Sequence, residues 1–302
     1  MSIKPYIQAA RLRTLPLAIA GILTGNLIAG IQFKHLHWAC FILSLMTAIA
    51  LQILSNYAND YGDFKNGADT AIRTDRVMAS GQMSIKTMQI AIGVLITLSL
   101  VSGIGLLITS IQSINSAFWS LMGIGCLGIA AAYFYTAGKY PYGYYGLGDL
   151  AVYIFFGIVS VLGAYYLQSG QLSWSVVCLA HAMACLSVAV LNINNLRDIE
   201  TDALKNKHTL ATQMGYKNAM RYQVVLLVNA LIGMLAFMQL QKAFGIWTLL
   251  SIGINGIIVL KQWQKLKACK NRMDYNLALK GMSLSALAMM LCLCLAYYLM
   301  QQ

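Results

Sequence analysis

The sequence changes from apolar to acidic within one segment, WACFILSLMTAIALQILSNYANDYGD, residues 38–63. Its first eighteen residues, Trp38 to Ser55, carry no formal charge and are within the length range of a membrane-spanning helix. Asp60 and Asp63 follow, and Asp69 comes six residues later. A helix that leaves the bilayer at this point would hold paired carboxylates at its carboxyl end, close to the membrane surface.

Apolar runs of this kind recur along all 302 residues. The sequence is 59% hydrophobic and only 10% charged, whereas soluble domains carry about 25% charged residues. Each run is close to the ~20 residues that cross a hydrocarbon core. We therefore predict an all-α polytopic membrane protein with nine transmembrane helices. The runs cover approximately residues 13–33, 38–59, 86–109, 114–137, 146–167, 173–196, 219–240, 243–262 and 278–300.

The net charge of +12 is unevenly distributed among the loops. With the amino terminus inside, nineteen of the 21 lysines and arginines fall on the inner side, and only Lys34 and Lys242 fall outside. This is the bias of the positive-inside rule, so the charge requires no nucleic-acid partner. All nine acidic residues also fall inside. We therefore expect the amino terminus and any polar chemistry at the cytoplasmic face.

The chain contains a weak internal repeat. Asn59-x-x-x-Asp63 at the end of the second run has a counterpart in Asn194-x-x-x-Asp198 at the end of the sixth, 135 residues later. A further aspartate follows each pair. We predict that the two motifs face one centre. They lie near residues 56–69 and 192–202, in a single membrane-embedded domain of residues 1–302.

Carboxylates at these positions are unfavourable without a cation. The carboxyl end of a helix disfavours an anion by a few tenths to ~1 kcal/mol, and a charge partly inside the bilayer costs more. Carboxylate and amide oxygens suit Mg²⁺, which completes its shell with water and substrate phosphate. Basic residues that suit phosphate oxygens follow both motifs, namely Arg73, Arg76, Lys205 and Lys207. The pattern indicates a Mg²⁺–diphosphate site.

On these motifs the sequence resembles the UbiA superfamily of intramembrane prenyltransferases, in which an NDxxD motif follows the second of nine helices and a DxxxD motif follows the sixth. The resemblance covers nearly the whole chain. It is closest to the branch that prenylates 1,4-dihydroxy-2-naphthoate in menaquinone synthesis, although Asp149 stands where that branch has glutamate. The stretches that carry the closer match are AARLRTLPLAIAG (9–21), NDYGDFKNGADT (59–70), AYFYTAGKYPYGYYGLGD (132–149) and NNLRDIETDALKNKHTLA (194–211).

The resemblance implies a Mg²⁺-dependent transfer from polyprenyl diphosphate to the naphthoate in the bacterial cytoplasmic (inner) membrane, with loss of CO₂ and diphosphate. The polyprenyl tail would lie in an apolar groove open to the lipid bilayer. The implied metal ligands are Asn59, Asp60, Asp63, Asp69, Asn195, Asp198 and Asp202. The implied catalytic residues are Asp60, Asp63, Asp198, Asp202, Tyr133, Tyr135 and Lys139. The residues implied to bind substrate are Arg13, Asn59, Arg73, Arg76, Asn195, Lys205 and Lys207.

Two alternatives belong beside this interpretation. A related prenyltransferase could act on 4-hydroxybenzoate, homogentisate or a tetrapyrrole, and the stretch from Tyr133 to Asp149 is expected to decide the acceptor. An ion-coupled transporter also places carboxylates in the membrane. Transporter sites, however, lie near the midplane on helices broken by Gly or Pro, whereas here the acids collect at one face.

Overall fold

The structure, a computed structural model, describes residues 3–67, 76–205 and 207–302. In these ranges, nine helical segments are long and apolar enough to cross a membrane, which confirms the predicted fold class and number of spans. The helices are α1 (Lys4–Ala10), α2 (Leu15–Phe33), α3 (Trp38–Lys65), α4 (Ile85–Ile111), α5 (Ser116–Phe134), α6 (Gly148–Val152), α7 (Ser160–Ser169), α8 (Trp174–Leu204), α9 (Leu210–Leu240), α10 (Ile246–Lys267) and α11 (Arg272–Met300).

Two of the nine spans are interrupted. The first consists of α1 and α2, which are separated at Arg11 by a left-handed backbone conformation with φ 48°. Pro16 lies in the first turn of α2, where the backbone N–H groups have no partner within the helix. The fifth span contains a π-helical segment, Tyr153–Val159, between α6 and α7. Residues beside both interruptions line the cavity described below.

The two helices that carry the acidic motifs continue beyond their predicted ends, so residues 59–63 and 194–202 are helical. The second predicted run ends near residue 59, but α3 continues to Lys65. The sixth ends near residue 196, but α8 continues to Leu204. The apolar pattern stops where the environment becomes polar, whereas the i→i−4 hydrogen bonds of the helix need no apolar side chains. The motif residues are therefore held on helical turns rather than in loops.

The largest core cluster surrounds α8, which packs against α9, α11 and the π-helical segment. Gly157 permits a close approach there, because a Cβ at this position would lie 2.2 Å from the Ala184 Cβ. A smaller cluster joins α3 and α4 and includes Tyr57, Tyr61 and Met88. The two acidic motifs thus belong to helices with separate cores, and they meet across the cavity between those helices.

Candidate active site

A cavity of about 380 Å³ lies among α2, α3, α4, α5, α7 and α8. Sites for small molecules typically have volumes of about 300–1,000 Å³. Most of the wall consists of aliphatic side chains and glycines. Polar and charged residues collect where α3 and α8 end, and we call this region the polar end. It comprises Arg11, Asn56, Asn59, Arg76, Asn194, Asn195, Asp198 and Lys207.

Both aspartates of the first motif are buried. Asp60 is 1% exposed, and its Oδ2 accepts a hydrogen bond of 3.1 Å from the Val77 N–H, while its Oδ1 has no hydrogen-bond partner. Asp63 Oδ2 pairs with Arg76 Nη2 at 3.2 Å. Asp63 Oδ1 accepts a hydrogen bond of 2.8 Å from the Tyr144 hydroxyl. In the first motif, both oxygens of Asp63 therefore have partners, whereas Asp60 keeps one buried oxygen available for a further partner.

The loop of residues 135–147, which we call the middle loop, is docked on the end of α3. Gly62 makes this possible, because a Cβ there would lie 2.5 Å from the backbone carbonyl of Thr136. The Asn66 side chain donates to the Thr136 carbonyl at 2.8 Å, and the Thr136 hydroxyl donates to the Ala58 carbonyl at 3.2 Å. These contacts fix the middle loop where Tyr144 can reach Asp63.

In the second motif, Asp198 lies between two arginines. Arg197 donates to both of its oxygens, from Nη2 at 2.6 Å and from Nε at 3.1 Å. Arg272 at the start of α11 approaches Asp198 Oδ1 at 3.0 Å. Asp202, one turn further along the same face of α8, lies 4.0 Å from Lys207 Nζ. The buried negative charge of this motif is therefore balanced by basic side chains.

Tyr144 connects the two motifs. Its hydroxyl donates to Asp63, and its backbone carbonyl accepts from the His208 N–H at 2.9 Å. The ammonium group of Lys207 lies 5.1 Å from the centroid of its ring, within the range of a cation–π interaction. Gly146 has a φ of 79°, and a Cβ there would lie 3.1 Å from the His208 carbonyl. The middle loop is thus held against both acidic motifs at once.

Two tyrosines of the middle loop form part of the cavity wall. Tyr135 fits against Gly143 and Gly148, where a Cβ would lie 3.0 and 3.1 Å from its ring, respectively, and it meets Tyr142 edge to face at 5.5 Å. Burial raises the pKa of Tyr135 above its ordinary value and that of Tyr142 to about 12. Both phenols therefore remain neutral at physiological pH, and their rings present electron-rich faces.

The structure brings six of the predicted site residues to the cavity wall: Asn59, Arg76, Tyr135, Asn195, Asp198 and Lys207. Asp60 is the neighbour of Asn59, while Asp63 and Asp202 contact the lining residues Arg76 and Lys207. Arg13 and Lys205 are half-buried and do not line the cavity. Asp69 and Arg73 lie outside the described residues.

Tyr133 and Lys139 lie at a different cavity from the one that holds the two motifs. This second cavity is formed by the end of α3 and the start of the middle loop, with Tyr61, Lys65 and Asn66 in its wall. Lys139 is exposed, and its ammonium group lies 5.4 Å from the Tyr140 ring centroid. Tyr133 and Lys139, which we predicted to be catalytic, therefore do not line the main cavity.

The polar end has the donor chemistry of a Mg²⁺ site. It offers carboxylate and amide oxygens, and the buried Oδ1 atoms of Asn59 and Asp60 have no hydrogen-bond partner. Within residues 3–67, 76–205 and 207–302, no three acidic, histidine or cysteine side chains converge as a metal cluster. The ligand types therefore fit a hard divalent cation, while guanidinium groups hold Asp63 and Asp198 in the arrangement described here.

The sequence pattern did not indicate several contacts in and around the polar end. Arg11 lines the cavity from the left-handed turn after α1 and interacts electrostatically with Asp60. Arg272 lies 74 positions after Asp198 in the sequence, and it reaches that carboxylate because α11 packs on α8. Neither contact has a local signal, since isolated arginines near membrane ends are also expected from the positive-inside rule. Tyr144 belongs to a tyrosine-rich stretch that could stabilise a cation, but the sequence does not indicate its contact with Asp63.

The fold and the site define a polytopic helical membrane protein with an acidic and basic cluster at one end of an apolar cavity. Residues 18–287 match the model of the UbiA prenyltransferase family. The chain belongs to the UbiA prenyltransferase family. This confirms the resemblance that the motifs indicated.

Three bacterial relatives carry the same name. The chain is 40% identical to the 1,4-dihydroxy-2-naphthoate octaprenyltransferase of Haemophilus influenzae over 245 residues, which cover 78% of this chain and 77% of the relative. It is 40% identical to the Escherichia coli protein of the same name, with coverage of 80% and 78%. For the Bacillus subtilis protein of that name, the identity is 32%, with coverage of 70% and 66%.

Solved structures share the fold at low sequence identity. A UbiA homolog from Aeropyrum pernix matches with a TM-score of 0.67 and 16% identity, covering 98% of both chains. A UbiA homolog from Archaeoglobus fulgidus, bound to GPP and Mg²⁺, matches with a TM-score of 0.61 and 14% identity, covering 97% of this chain and 99% of the other. These likenesses establish the arrangement of the helices.

Proposed function

We propose that this protein transfers a polyprenyl chain from polyprenyl diphosphate to 1,4-dihydroxy-2-naphthoate. The products are demethylmenaquinol, CO₂ and diphosphate, as a step of menaquinone biosynthesis. The observation that carries the proposal is the apolar cavity, at whose polar end residues of two acidic motifs lie next to several basic side chains. Such a cavity accommodates a substrate with a long hydrocarbon tail and an anionic head. The names of bacterial relatives at up to 40% identity support the choice of acceptor.

The diphosphate of the donor would bind at the polar end. When bound there, Mg²⁺ would neutralise phosphate oxygens and lower the barrier to loss of diphosphate. Its proposed ligands are Asn59, Asp60, Asp63, Asp69, Asn195, Asp198 and Asp202. Arg76 and Lys207 line the cavity next to these groups and would contact phosphate oxygens that the metal leaves accessible. Lys205 and Arg13 remain proposed contacts, although neither lines the described cavity wall. Arg73, which lies outside the described residues, also remains a proposed contact.

Cleavage of the bond between the allylic carbon and the diphosphate oxygen gives an allylic cation, and the electron pair leaves with diphosphate. The faces of Tyr135 and Tyr142 would stabilise this cation by cation–π interaction, and the aliphatic wall would exclude water. A bond then forms between the allylic carbon and the ring carbon that bears the carboxylate. Release of CO₂ returns its electron pair to the ring and restores aromaticity. Tyr133 and Lys139 would act at most during approach of the acceptor, from the second cavity.

We further propose that the protein resides in the cytoplasmic membrane with its amino terminus and polar end on the cytoplasmic side. The support is the distribution of basic residues, of which nineteen of 21 fall on one side of a nine-span topology. Both substrates would reach the site without crossing the bilayer, since the acceptor is a water-soluble acid and the donor is a lipid with an anionic head.

A turnover assay on the purified full-length chain tests the proposal. The donor is all-trans-octaprenyl diphosphate, and the acceptors are 1,4-dihydroxy-2-naphthoate and 4-hydroxybenzoate, each with Mg²⁺ or with EDTA. Mg²⁺-dependent prenylation of the naphthoate with one CO₂ per product is the expected result. Product from 4-hydroxybenzoate alone would overturn the acceptor and retain the reaction class. Absence of any prenylated product, together with ion uptake into proteoliposomes, would favour the transporter alternative.

A further inference from the structure

One buried amide in the cavity wall has an oxygen without a donor. Gln52 lies on α3, seven residues before Asn59, and is only 6% exposed. It lines the main cavity, and its Oε1 has no hydrogen-bond partner. Burial of an unsatisfied amide oxygen typically costs about 1–3 kcal/mol. A group that enters the cavity and donates a hydrogen bond would remove this penalty.

The orientation of the Gln52 amide follows from the surrounding hydrogen bonds. The hydroxyl of Thr14 donates its only proton to the Arg11 carbonyl at 3.0 Å. Thr14 Oγ1 can therefore only accept, and it accepts from Gln52 Nε2 and from Asn56 Nδ2, both at 3.0 Å. A flipped Gln52 would place its oxygen against an acceptor. The amide nitrogen must face Thr14, so the atom without a partner is a hydrogen-bond acceptor.

Three hydroxyl groups in this part of the wall are satisfied within the protein. The hydroxyls of Ser44, Thr47 and Ser99 donate to the carbonyls of Phe41, Leu43 and Leu95, each at 2.8 Å. Asn59 Oδ1 also lacks a partner, but it belongs to the first motif and its proposed role is metal binding. Among the buried acceptor atoms of the described cavity wall, Gln52 Oε1 is therefore the one without a partner that the metal and diphosphate chemistry does not use.

We infer that Gln52 binds a phenolic hydroxyl of the aromatic acceptor. This inference rests on the proposed function and adds a residue that recognises the acceptor. A polyprenyl diphosphate has no O–H or N–H donor in its tail and an acceptor-only head, whereas a dihydroxynaphthoate has two phenolic donors. Metal ligation does not account for Gln52, because seven residues of helix separate it from Asn59 by roughly 10 Å along the axis, while Mg²⁺–oxygen bonds are about 2.1 Å.

The hydrogen bond would determine how the acceptor lies in the cavity. Gln52 is on the apolar side of the first motif, so a hydroxyl held there places the aromatic ring beside the region where the allylic carbon leaves its diphosphate. The Thr14 contact fixes the amide, and the same hydroxyl ties Gln52 to Asn56 and to the turn at Arg11. Gln52 is therefore a rigid hydrogen-bond acceptor. It would favour aromatic substrates that carry a hydroxyl group at the matching position.

An analogue cycle tests the assignment. Equilibrium binding to the full-length wild-type protein and to Gln52→Leu is measured for 1,4-dihydroxy-2-naphthoate, 1-hydroxy-2-naphthoate and 4-hydroxy-2-naphthoate. Wild type should bind one monohydroxy compound roughly tenfold more weakly than the diol. Gln52→Leu should bind the diol roughly tenfold more weakly than wild type does. The affinities of this variant for the diol and for the weaker-binding monohydroxy compound should be equal. The KM for the polyprenyl diphosphate should not change.

Ser99→Ala is the matched control, because Ser99 lines the same cavity and its hydroxyl is bonded within α4. It should bind the three compounds as wild type does. Equal binding of all three by wild type would overturn the inference without any variant. Discrimination that persists unchanged in Gln52→Leu would also overturn it, and would leave a bound water as the partner of Oε1. Failure of wild type to prenylate the diol would overturn the proposed function itself, so the two failures are distinguishable.

Discussion

The hydroxyl of Tyr144 donates a hydrogen bond of 2.8 Å to Asp63 Oδ1, across 81 residues of sequence. Tyr144 also lies under the ammonium group of Lys207, which pairs with Asp202 of the second motif. One side chain of the middle loop thereby contacts the first motif directly and the second through Lys207. We interpret the middle loop as the element that fixes the positions of the two acidic motifs relative to each other. It also forms part of the cavity wall.

Replacement of Tyr144 by Phe tests this interpretation. The variant keeps the ring beneath Lys207 and loses the hydrogen bond from the hydroxyl to Asp63. Hydrogen bonds to charged groups contribute about 1.5–3 kcal/mol, so kcat/KM for the diphosphate donor should fall roughly 10- to 100-fold. The control is Tyr145→Phe, which alters an exposed neighbour. Equal activities of the two variants would show that the Tyr144–Asp63 bond does not organise the site.

Asp198 and Glu200, two of the three acidic residues near the end of α8, should differ sharply in importance. Asp198 is buried and bonded to Arg197 and Arg272, whereas Glu200 is exposed. Asp198→Asn should reduce turnover by roughly 100-fold or more, because it removes charge at the diphosphate site. Glu200→Gln should stay within about twofold of wild type. Steady-state rates in matched detergent preparations give the comparison, and a similar loss in both variants would contradict the assignment of the metal-binding face.

Removal of Mg²⁺ should abolish turnover and leave the fold intact. The buried carboxylates of Asp63 and Asp198 are paired with Arg76, Arg197 and Arg272, so chelation leaves no buried charge unbalanced at these two positions. Structural metal sites behave differently, since their metal contributes directly to the free energy of folding. EDTA should therefore leave the apparent unfolding temperature within a few degrees of its value with Mg²⁺. Unfolding on chelation would instead identify the metal as a structural component.

Gly62 should be intolerant of any side chain. A Cβ there would meet the backbone of Thr136 at 2.5 Å, so Gly62→Ala must displace the middle loop from α3. The expected destabilisation is about 1–3 kcal/mol, as for other overpacked sites, accompanied by loss of activity. Gly123→Ala on α5 is the control, because its Cβ would have nothing within 4 Å. Thermal unfolding and turnover of both variants are measured, and equal behaviour would argue against a docked middle loop.

The sequence was sufficient for the fold and for the location of both motifs, because these depend on local patterns. Apolar runs of suitable length determine the spans, and the repeated Asn-x-x-x-Asp spacing marks the same point of two helices. Asp63 and Asp198 are therefore recognisable as a matched pair from residue type and spacing alone. The role of Arg272 was not, since its contact with Asp198 depends on the packing of α11 against α8.

The middle loop illustrates the other limit of the sequence. Its tyrosines are close together in sequence, but Tyr135 lies at the main cavity, whereas Tyr133, just before the loop, lies at the second one. The cause is the end of α5 at Phe134, after which the backbone follows α3 past Gly62. A pattern of residue types cannot reveal this division, because it depends on a backbone contact between segments more than 70 residues apart.

Gly163 should influence the length of the prenyl chain that the protein accepts. Gly163 on α7 lines the main cavity, and a Cβ there would meet nothing within 4 Å. Packing therefore does not require glycine at this position, in contrast to Gly25 on α2, whose Cβ would lie 2.3 Å from the Val161 carbonyl. Gly163→Leu fills part of the cavity without displacing protein atoms at the Cβ. It should lower kcat/KM for octaprenyl diphosphate by roughly tenfold or more.

Geranyl diphosphate provides the internal reference for Gly163→Leu, because a short tail need not reach the narrowed part of the cavity. The ratio of kcat/KM for the two donors should shift toward the geranyl compound, while the KM for the aromatic acceptor stays unchanged. Gly123→Leu is the matched variant, since Gly123 has equal space around its Cβ but does not line the cavity. A parallel loss with both donors would mean that Gly163 supports the fold, and an unchanged ratio would place the polyprenyl tail along another part of the wall.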